Sequence, residues 1–346
     1  MTEKLEITLE KVKKNIDDYI LLDMRDAVSY RNGHIDGALL YKDFDLSDIK
    51  VDKIPVLYCE YGEKSLAEAE KLSSEGINVL SLKDGFKSWL ASCFTILKKK
   101  ELERYDRQMI LPQIGLEGQE KLKKASVLIV GAGGLGSPAA FYAAAAGIGN
   151  IGIIDGDTVC LHNLQRQILH STERIGKNKS ESAKETLEAL NDNITVKSFP
   201  FYLTKDNAVE IINKYDLVID CTDSTDLKLL INDICVELRK PFIYGGASGL
   251  TGQVMTCIPG KTPCLRCIFE DVPPDNGCFS CETAGILGAV CGVTGSVQAL
   301  EAVKYFTMPS DEPVGKMFII DGASLRTRCM SLKKRNSSCK VCGKDH

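Results

Sequence analysis

The chain has 346 residues, 44% hydrophobic and 26% charged, the composition of an ordinary soluble globular protein long enough for about two domains. A formal net charge of -4 gives no reason to expect nucleic acid, and the Lys and Arg runs at 98–100 and 326–335 read as linkers or solvated faces. No apolar run approaches the roughly 20 residues of a membrane span. The N-terminus MTEKLEITLEKVKK is charged where a signal peptide would be apolar, so a cytoplasmic protein without membrane contact is expected.

In chain order, residues 1–97 form an α/β pattern of their own. The strand YILLDMR (19–25) leads to the turn NGHIDGA (32–38), and the strand IPVLYC (54–59) ends in the loop EYGEKS. The helix SLAEAEKLSSEG (65–76), the strand NVLSL (78–82) and the stretch DGFKSWL (84–90) follow. Cys59 thus ends a buried strand, where loop N–H groups and Lys64 favour the thiolate, while Glu60 and Glu63 oppose it. These residues resemble the rhodanese domain through D-x-R (Asp23 to Arg25), G-H-I-x-G-A (Gly33 to Ala38), C-x-x-G-x-K-S (Cys59 to Ser65) and G-F-x-x-W (Gly85 to Trp89). The resemblance implies that Cys59 carries sulfur as a persulfide. The related phosphatase chemistry needs an Arg six positions after the Cys, where this chain has Ser65.

Residues 98–124 are charged, helix-prone and interrupted by Pro112 and Gly115, and read as a linker and N-terminal arm. A second unit, 125–346, begins with SVLIVGAGGLGSPAA (126–140): strand, phosphate loop, helix. Gly131, Gly133 and Gly136 fit G-x-G-x-x-G, which lets backbone N–H groups approach a phosphate at a helix N-terminus. Asp155 ends the next strand, where it can accept hydrogen bonds from ribose hydroxyls. To this point a nicotinamide-linked oxidoreductase fits equally well. Asn163, Arg166, Gln167, Lys177 and Lys179 then follow closely, and such cations suit a triphosphate under attack. A third strand, DLVIDCTDS (216–224), brings Asp220 and Asp223 to the carboxyl end of the sheet, where a carboxylate can hold Mg²⁺ against phosphate oxygens.

The stretches RYDRQMILPQIG, VGAGGLGSP, DGDTV, NLQRQ, GKNKSESA, DCTDS, PCLRC, CETAGILG and GVTGSVQALEAVK resemble the ThiF and MoeB adenylyltransferases, relatives of the ubiquitin-activating enzymes. The resemblance implies that Gly134, Asp155, Asp157, Asn163, Arg166, Gln167 and Lys179 hold ATP, that Asp223 binds Mg²⁺, and that Arg107 reaches the phosphates from the partner subunit of a homodimer. It also implies a thiol at Cys281 able to take up the activated carrier or its sulfur. Ser224 stands where the family has Asn, and Lys228 where it has Arg.

Fourteen cysteines without an export signal point to thiol or metal chemistry rather than disulfides. Cys264 with Cys267 and Cys339 with Cys342 have the number and spacing of a tetrahedral Cys₄ zinc site. Cys278 and Cys281 belong to the separate loop VPPDNGCFSCETAG. Cys93, Cys160, Cys221, Cys235, Cys257, Cys291 and Cys329 sit in apolar or strand-like surroundings and read as inert buried thiols.

The expected fold is α/β throughout: an N-terminal rhodanese domain, then a Rossmann-like, doubly wound adenylating domain with a mixed sheet and a C-terminal Cys₄ zinc site. The expected activity is ATP-dependent adenylation of the Gly-Gly carboxylate of a ubiquitin-like sulfur-carrier protein, followed by sulfur transfer to a thiocarboxylate. A cysteine desulfurase or thiosulfate would load Cys59. An activator or scaffold for ubiquitin-like conjugation is the other alternative, and thiamin, molybdopterin, tRNA-thiolation and sulfur amino-acid pathways all stay open.

Overall fold

A computed structural model of the chain describes residues 5–32, 34–35, 37–46, 53–96, 100–269, 285–308, 315–332 and 336–343. The chain divides into two compact units between Leu116 and Glu117.

In the first unit, strands β1 (Glu6–Ile7), β2 (Tyr19–Asp23), β3 (Leu39–Leu40), β4 (Ile54–Tyr58) and β5 (Leu80–Leu82) form a sheet of order β1-β5-β4-β2-β3. Every pairing is parallel. A parallel sheet is covered on both faces, so its central strands read as unbroken apolar runs. Successive residues then separate: Leu21, Val56 and Tyr58 enter one core with Ile35 and Phe86, and Leu22 and Leu57 enter another with Ala69 and Leu72. The middle strand β4 delivers Cys59 to its carboxyl end, and the helix Glu63–Ser74 starts in the loop beyond.

The second unit has one eight-stranded sheet of β6 (Ser126–Val130), β7 (Asn150–Ile154), β8 (Thr195–Phe199), β9 (Leu217–Asp220), β10 (Phe242–Ser248), β11 (Thr251–Cys257), β12 (Lys316–Asp321) and β13 (Arg326–Ser331). Its order is β13-β12-β11-β10-β9-β6-β7-β8, parallel from β8 to β10 and antiparallel from β10 to β13. This is the mixed, doubly wound sheet expected. The chain winds outward through β6, β7 and β8, then returns to place β9 on the other side of β6. Loops leaving β6 and β9 therefore diverge, and the crevice between them is where such sheets bind ligands.

Two helices close the crevice from one face. The alanine-rich Gly136–Ala145 packs on Gly288–Thr307, and the approach is close enough that a Cβ on Gly295 would strike the Leu135 carbonyl oxygen and Pro138. Among the described residues, no helix is long and apolar enough to cross a membrane.

Candidate functional site

In the first unit, Gly62 takes φ +92°, a left-handed conformation that suits glycine, and this points its N–H at the Cys59 sulfur from 3.2 Å. Ser65 adds its N–H at 3.4 Å and its hydroxyl at 3.5 Å, and that hydroxyl accepts a hydrogen bond from the buried Ser81 at 2.9 Å. Burial pushes the Cys59 thiol up, but the donors from Ser65, Tyr61 and Gly62 outweigh it and hold the thiol below its ordinary range. Lys64, expected to help, is exposed, and the stabilisation comes from the loop's own donors.

Glu60, expected to oppose the thiolate, is drawn toward Arg25, 3.6 Å from Nη1. Arg25 is itself fixed by Asp23, with Nε to Oδ1 at 3.0 Å and Nη2 to Oδ2 at 2.7 Å, and by the Phe86 ring 3.6 Å below its guanidinium. The D-x-R and G-F motifs thus support the sulfur loop from behind. Gly85, at φ +59°, comes so close that a Cβ would overlap the Cys59 carbonyl oxygen, which accepts from the Phe86 N–H at 2.8 Å.

In the second unit, the crevice between β6 and β9 is a cleft of about 340 Å³ lined by Gly131, Gly133, Gly134, Asp155, Asp157, Arg166, Gln167, Lys179 and Asp223, among others. Gly131 turns at φ +96°, and a Cβ there would lie 2.8 Å from the Cys221 carbonyl oxygen at the end of β9. A Cβ on Gly136 would overlap the Gly131 carbonyl, and one on Gly134 would lie 2.9 Å from Cys291 Sγ and 3.3 Å from Arg166 Cγ. The glycines at 131, 134 and 136 are therefore required by close approach.

Asp155 braces this loop: Oδ2 accepts from the Ala132 N–H and Oδ1 from the Asp157 N–H, each at 2.8 Å. Its burial pushes the carboxyl up, against the pull of Lys179. Lys179, almost fully buried, donates to Asp157 Oδ2 at 2.9 Å. Burial raises the Asp157 carboxyl, and the bonds from Lys179 and from the Tyr202 hydroxyl bring it below its ordinary range. Asn163 is absent from the lining: it stands behind Arg166 and accepts from its Nη2 at 2.9 Å. Lys177 likewise turns aside to pair with Glu185. Gln167 is buried at the cleft wall, and its amide oxygen has no hydrogen-bond partner among the described residues. Such a buried acceptor at a cleft wall calls for a bound partner, a water or a ligand group.

The two aspartates after β9 part company. Asp220 is sealed: Oδ1 accepts from the Thr222 N–H and hydroxyl at 3.0 and 2.7 Å, and Oδ2 accepts from Lys228 Nζ at 3.0 Å. Asp223 is exposed and lines the cleft, and the helix Thr225–Glu237 is capped by Ser224 instead. Of the pair, only Asp223 has a carboxylate open to a metal.

Below the cleft, the sulfur atoms of Cys264, Cys267, Cys339 and Cys342 all lie within 4.8 Å of one another. Three separations are 3.9 Å (Cys264 to Cys267), 3.7 Å (Cys264 to Cys339) and 3.2 Å (Cys267 to Cys342). A tetrahedron of four sulfurs at about 2.3 Å from zinc has edges of about 3.8 Å, so the cluster could hold such an ion. Arg266 and Asp233, doubly bonded at 2.7 Å, and the Leu265 N–H to Asn232 Oδ1 at 2.8 Å tie it to the helix Thr225–Glu237.

A profile of the ThiF family matches residues 105–341, most of the chain. The chain belongs to the ThiF family. A rhodanese-like domain profile matches residues 8–92, so this ThiF-family chain carries the rhodanese-like unit on its N-terminal side. The adenylyltransferase and sulfurtransferase MOCS3 of Culex quinquefasciatus is 42% identical over 264 residues, which are 76% of this chain and 60% of that protein. The MOCS3 protein of Arabidopsis thaliana is 42% identical over 247 residues, 71% of this chain and 53% of that one. The chain thus spans little more than half the length of these relatives. Among solved structures, E. coli MccB with ATP aligns at 25% identity and TM-score 0.60 over 81% of this chain and 82% of its own.

Against the ThiF-family resemblance, Arg107 is exposed, with no ion-pair partner among the described residues. Cys278 and Cys281 lie outside the described residues. Of the thiols read as inert, Cys235 and Cys257 are buried in the core; Cys221 and Cys291 are buried but line the cleft; Cys160 is half-buried and Cys329 is exposed on β13, like every residue of that strand. The Cys93 side chain is outside the described residues. Tyr202 and Gln298 were not anticipated. Tyr202 lies across Gly156, where a Cβ would be 2.7 Å from its ring, so the glycine between Asp155 and Asp157 was its one sequence signal. Gln298 donates to the Asp220 carbonyl at 2.7 Å from a helix nearly 80 residues away, which no local pattern reveals.

Proposed function

We propose that the chain adenylates the C-terminal Gly-Gly carboxylate of a small ubiquitin-like sulfur-carrier protein and then delivers sulfur to it from Cys59. One observation carries the reading: the phosphate loop, Arg166, Lys179, the open Gln167 amide and the open Asp223 carboxylate all face one cleft, in a chain that also holds a thiolate-favouring Cys59. The MOCS3 relatives, named for both activities, support the pairing. Arg166 and Lys179 at the cleft favour a triphosphate over a nicotinamide cofactor.

In this mechanism the carrier carboxylate attacks the α-phosphorus of ATP, pyrophosphate leaves, and an acyl-adenylate forms. Arg166 and Lys179, with Arg107 reaching over from the second copy of a homodimer, stabilise the charge on the phosphates. Asp223 would hold Mg²⁺, which offsets negative charge on the phosphate oxygens when bound. The terminal sulfur of a Cys59 persulfide then attacks the acyl carbon and AMP leaves, giving an acyl disulfide. A second thiolate, a role the ThiF-family resemblance suggests for Cys281, attacks Cys59 Sγ, releasing the thiocarboxylate and leaving Cys59 in a disulfide with that thiol. A cysteine desulfurase or thiosulfate reloads Cys59 after reduction by a thiol. Cys264, Cys267, Cys339 and Cys342 would hold a structural zinc ion, and the reducing cytoplasm is the compartment that suits this thiol chemistry.

The test separates the two halves. Cys59→Ala should abolish thiosulfate sulfurtransfer and leave carrier-dependent ATP–pyrophosphate exchange intact, and Asp223→Ala should do the reverse. Loss of both activities in either variant refutes the division of labour. Intact mass spectrometry of the carrier should show the thiocarboxylate with the unaltered chain.

A further inference from the structure

Histidine is rare in this chain, with four in all, and one of them is buried beside the nucleotide cleft. His170 Nε2 lies 2.9 Å from the Ala132 carbonyl oxygen and Nδ1 lies 2.9 Å from Ser182 Oγ. The carbonyl can only accept, so Nε2 carries a proton. At the other nitrogen the direction is also set. Arg174 Nη1 donates to the Ser182 carbonyl at 2.7 Å and approaches its hydroxyl oxygen at 3.5 Å, so the serine's one proton points at Nδ1. The result is a one-way chain of donors: Arg174 to Ser182, Ser182 to His170, His170 to Ala132.

That chain ties together the three segments that furnish the cleft. Ala132 belongs to the phosphate loop and gives its own N–H to Asp155. The main-chain N–H of His170 donates to the Gln167 carbonyl at 3.1 Å, so the imidazole is carried on the turn of Arg166 and Gln167. Ser182 lies one turn into the helix Lys179–Leu190, whose first residue is the cleft lysine. Burial lowers the affinity of His170 for a second proton, and the charges of Lys179 and Arg174 lower it further, against the Ala132 bond. The charged groups around it are Lys179 on the helix, Arg174 on its own turn with Glu185 3.8 Å beyond, and Asp155 across Ala132.

We propose that neutral His170 is a positioning residue for ATP, locking the phosphate loop to the Arg166–Gln167 turn and the Lys179 helix, so that its protonation in acid loosens nucleotide binding. A proton arriving at Nδ1 makes that nitrogen a donor, forces the Ser182 hydroxyl to turn away, and sets a positive charge beside Lys179 and Arg174, which pushes the Lys179 helix from the loop. The sign follows: the brace is intact above the free-imidazole range and is lost as pH falls below it. The proposal rests on the nucleotide reading of the cleft.

Two measurements on the full chain test it. Nitrogen NMR of the four imidazoles, with His170→Gln to assign the signal, should show His170 as the neutral form protonated at Nε2 at about pH 7.5; a charged ring or a proton on Nδ1 overturns the proposal. ATP affinity by calorimetry, scanned from about pH 8 to about pH 5, should weaken in acid. In His170→Gln, whose amide nitrogen reaches toward Ala132 as Nε2 does, affinity at neutral pH should stay within about threefold and lose the acid-dependent component, which subtracts the ionisation of ATP itself. His170→Ala should bind about tenfold more weakly than the unaltered chain at about pH 8, through loss of the bonds to Ala132 and Ser182, and the difference should shrink as pH falls. An unaltered chain that binds no ATP at any pH sinks the nucleotide reading and this proposal with it. Binding that is the same in His170→Ala, or an acid profile unchanged in His170→Gln, sinks this proposal alone.

Discussion

Ser65→Ala removes the one side-chain donor among those that stabilise the Cys59 thiolate and leaves the backbone N–H groups of Tyr61, Gly62 and residue 65 itself in place. A hydrogen bond to a charged group contributes roughly 1.5–3 kcal/mol, and at 3.5 Å this one belongs at the low end. At 1.36 kcal/mol per pH unit, the Cys59 thiol should rise by about one unit, so that the thiolate persists over a narrower range on the acid side. The assay is the pH dependence of iodoacetamide alkylation, followed at the Cys59 peptide by mass spectrometry because the chain has fourteen cysteines. The same substitution strands the buried Ser81 hydroxyl, which should lower folding stability by about 1–3 kcal/mol. Adding Ser81→Ala should recover stability while the thiol stays raised, which separates the two effects. A midpoint that stays put or moves down in Ser65→Ala would refute the assignment of thiolate stabilisation to that hydroxyl.

Gly134→Ala places a Cβ 2.9 Å from Cys291 Sγ; we expect ATP affinity to fall at least tenfold, about 1.4 kcal/mol, and Cys291→Ala in the same chain to restore most of it. Calorimetric titration decides, and no recovery would mean that Arg166, not Cys291, is the obstruction. Stripping metal with a chelator should lower the melting temperature of the second unit sharply, since a structural zinc contributes on the order of 10 kcal/mol. Cys342→Ser should reproduce that loss without chelator, and a chain with unchanged melting after metal removal would leave the Cys₄ cluster without a structural role.

Motifs whose geometry is local were legible from residues alone. The loop from Cys59 to Ser65 draws its donors from within itself, and Gly136 is imposed by the Gly131 carbonyl inside the same turn, whereas Gly131 and Gly134 meet Cys221, Cys291 and Arg166 from elsewhere in the chain. What stayed hidden depends on direction. Lys177 and Lys179 are two positions apart at a helix start, and only the fold decides that one meets Glu185 and the other the cleft. Asp220 and Asp223 carry the same chemistry, but Lys228 and Thr222 saturate the first, while Ser224 takes the capping role and frees the second. Glu60 read as a local penalty because its partner, Arg25, arrives from another strand. The parallel half of the sheet follows from the alternation of strands and helices, whereas its antiparallel half from β10 to β13 is expected only with the family resemblance, and the pairing of Gln298 with β9 needed the whole fold.

The four cysteines also impose an order on assembly. Cys264 and Cys339 are 75 positions apart, and the helix Gly288–Thr307, which brings Cys291 and Gln298 to the cleft, lies wholly between them. During synthesis, the phosphate loop and strands β6, β7 and β9 leave the ribosome long before the second cysteine pair exists. A metal clasp at this point can therefore form only after residue 342 has been added, and the segment it encircles is the one that walls the nucleotide cleft. With an ion bound there, metal supply would act late in maturation: a chain finished without it would hold the side chains of the cleft but not the strap around their wall.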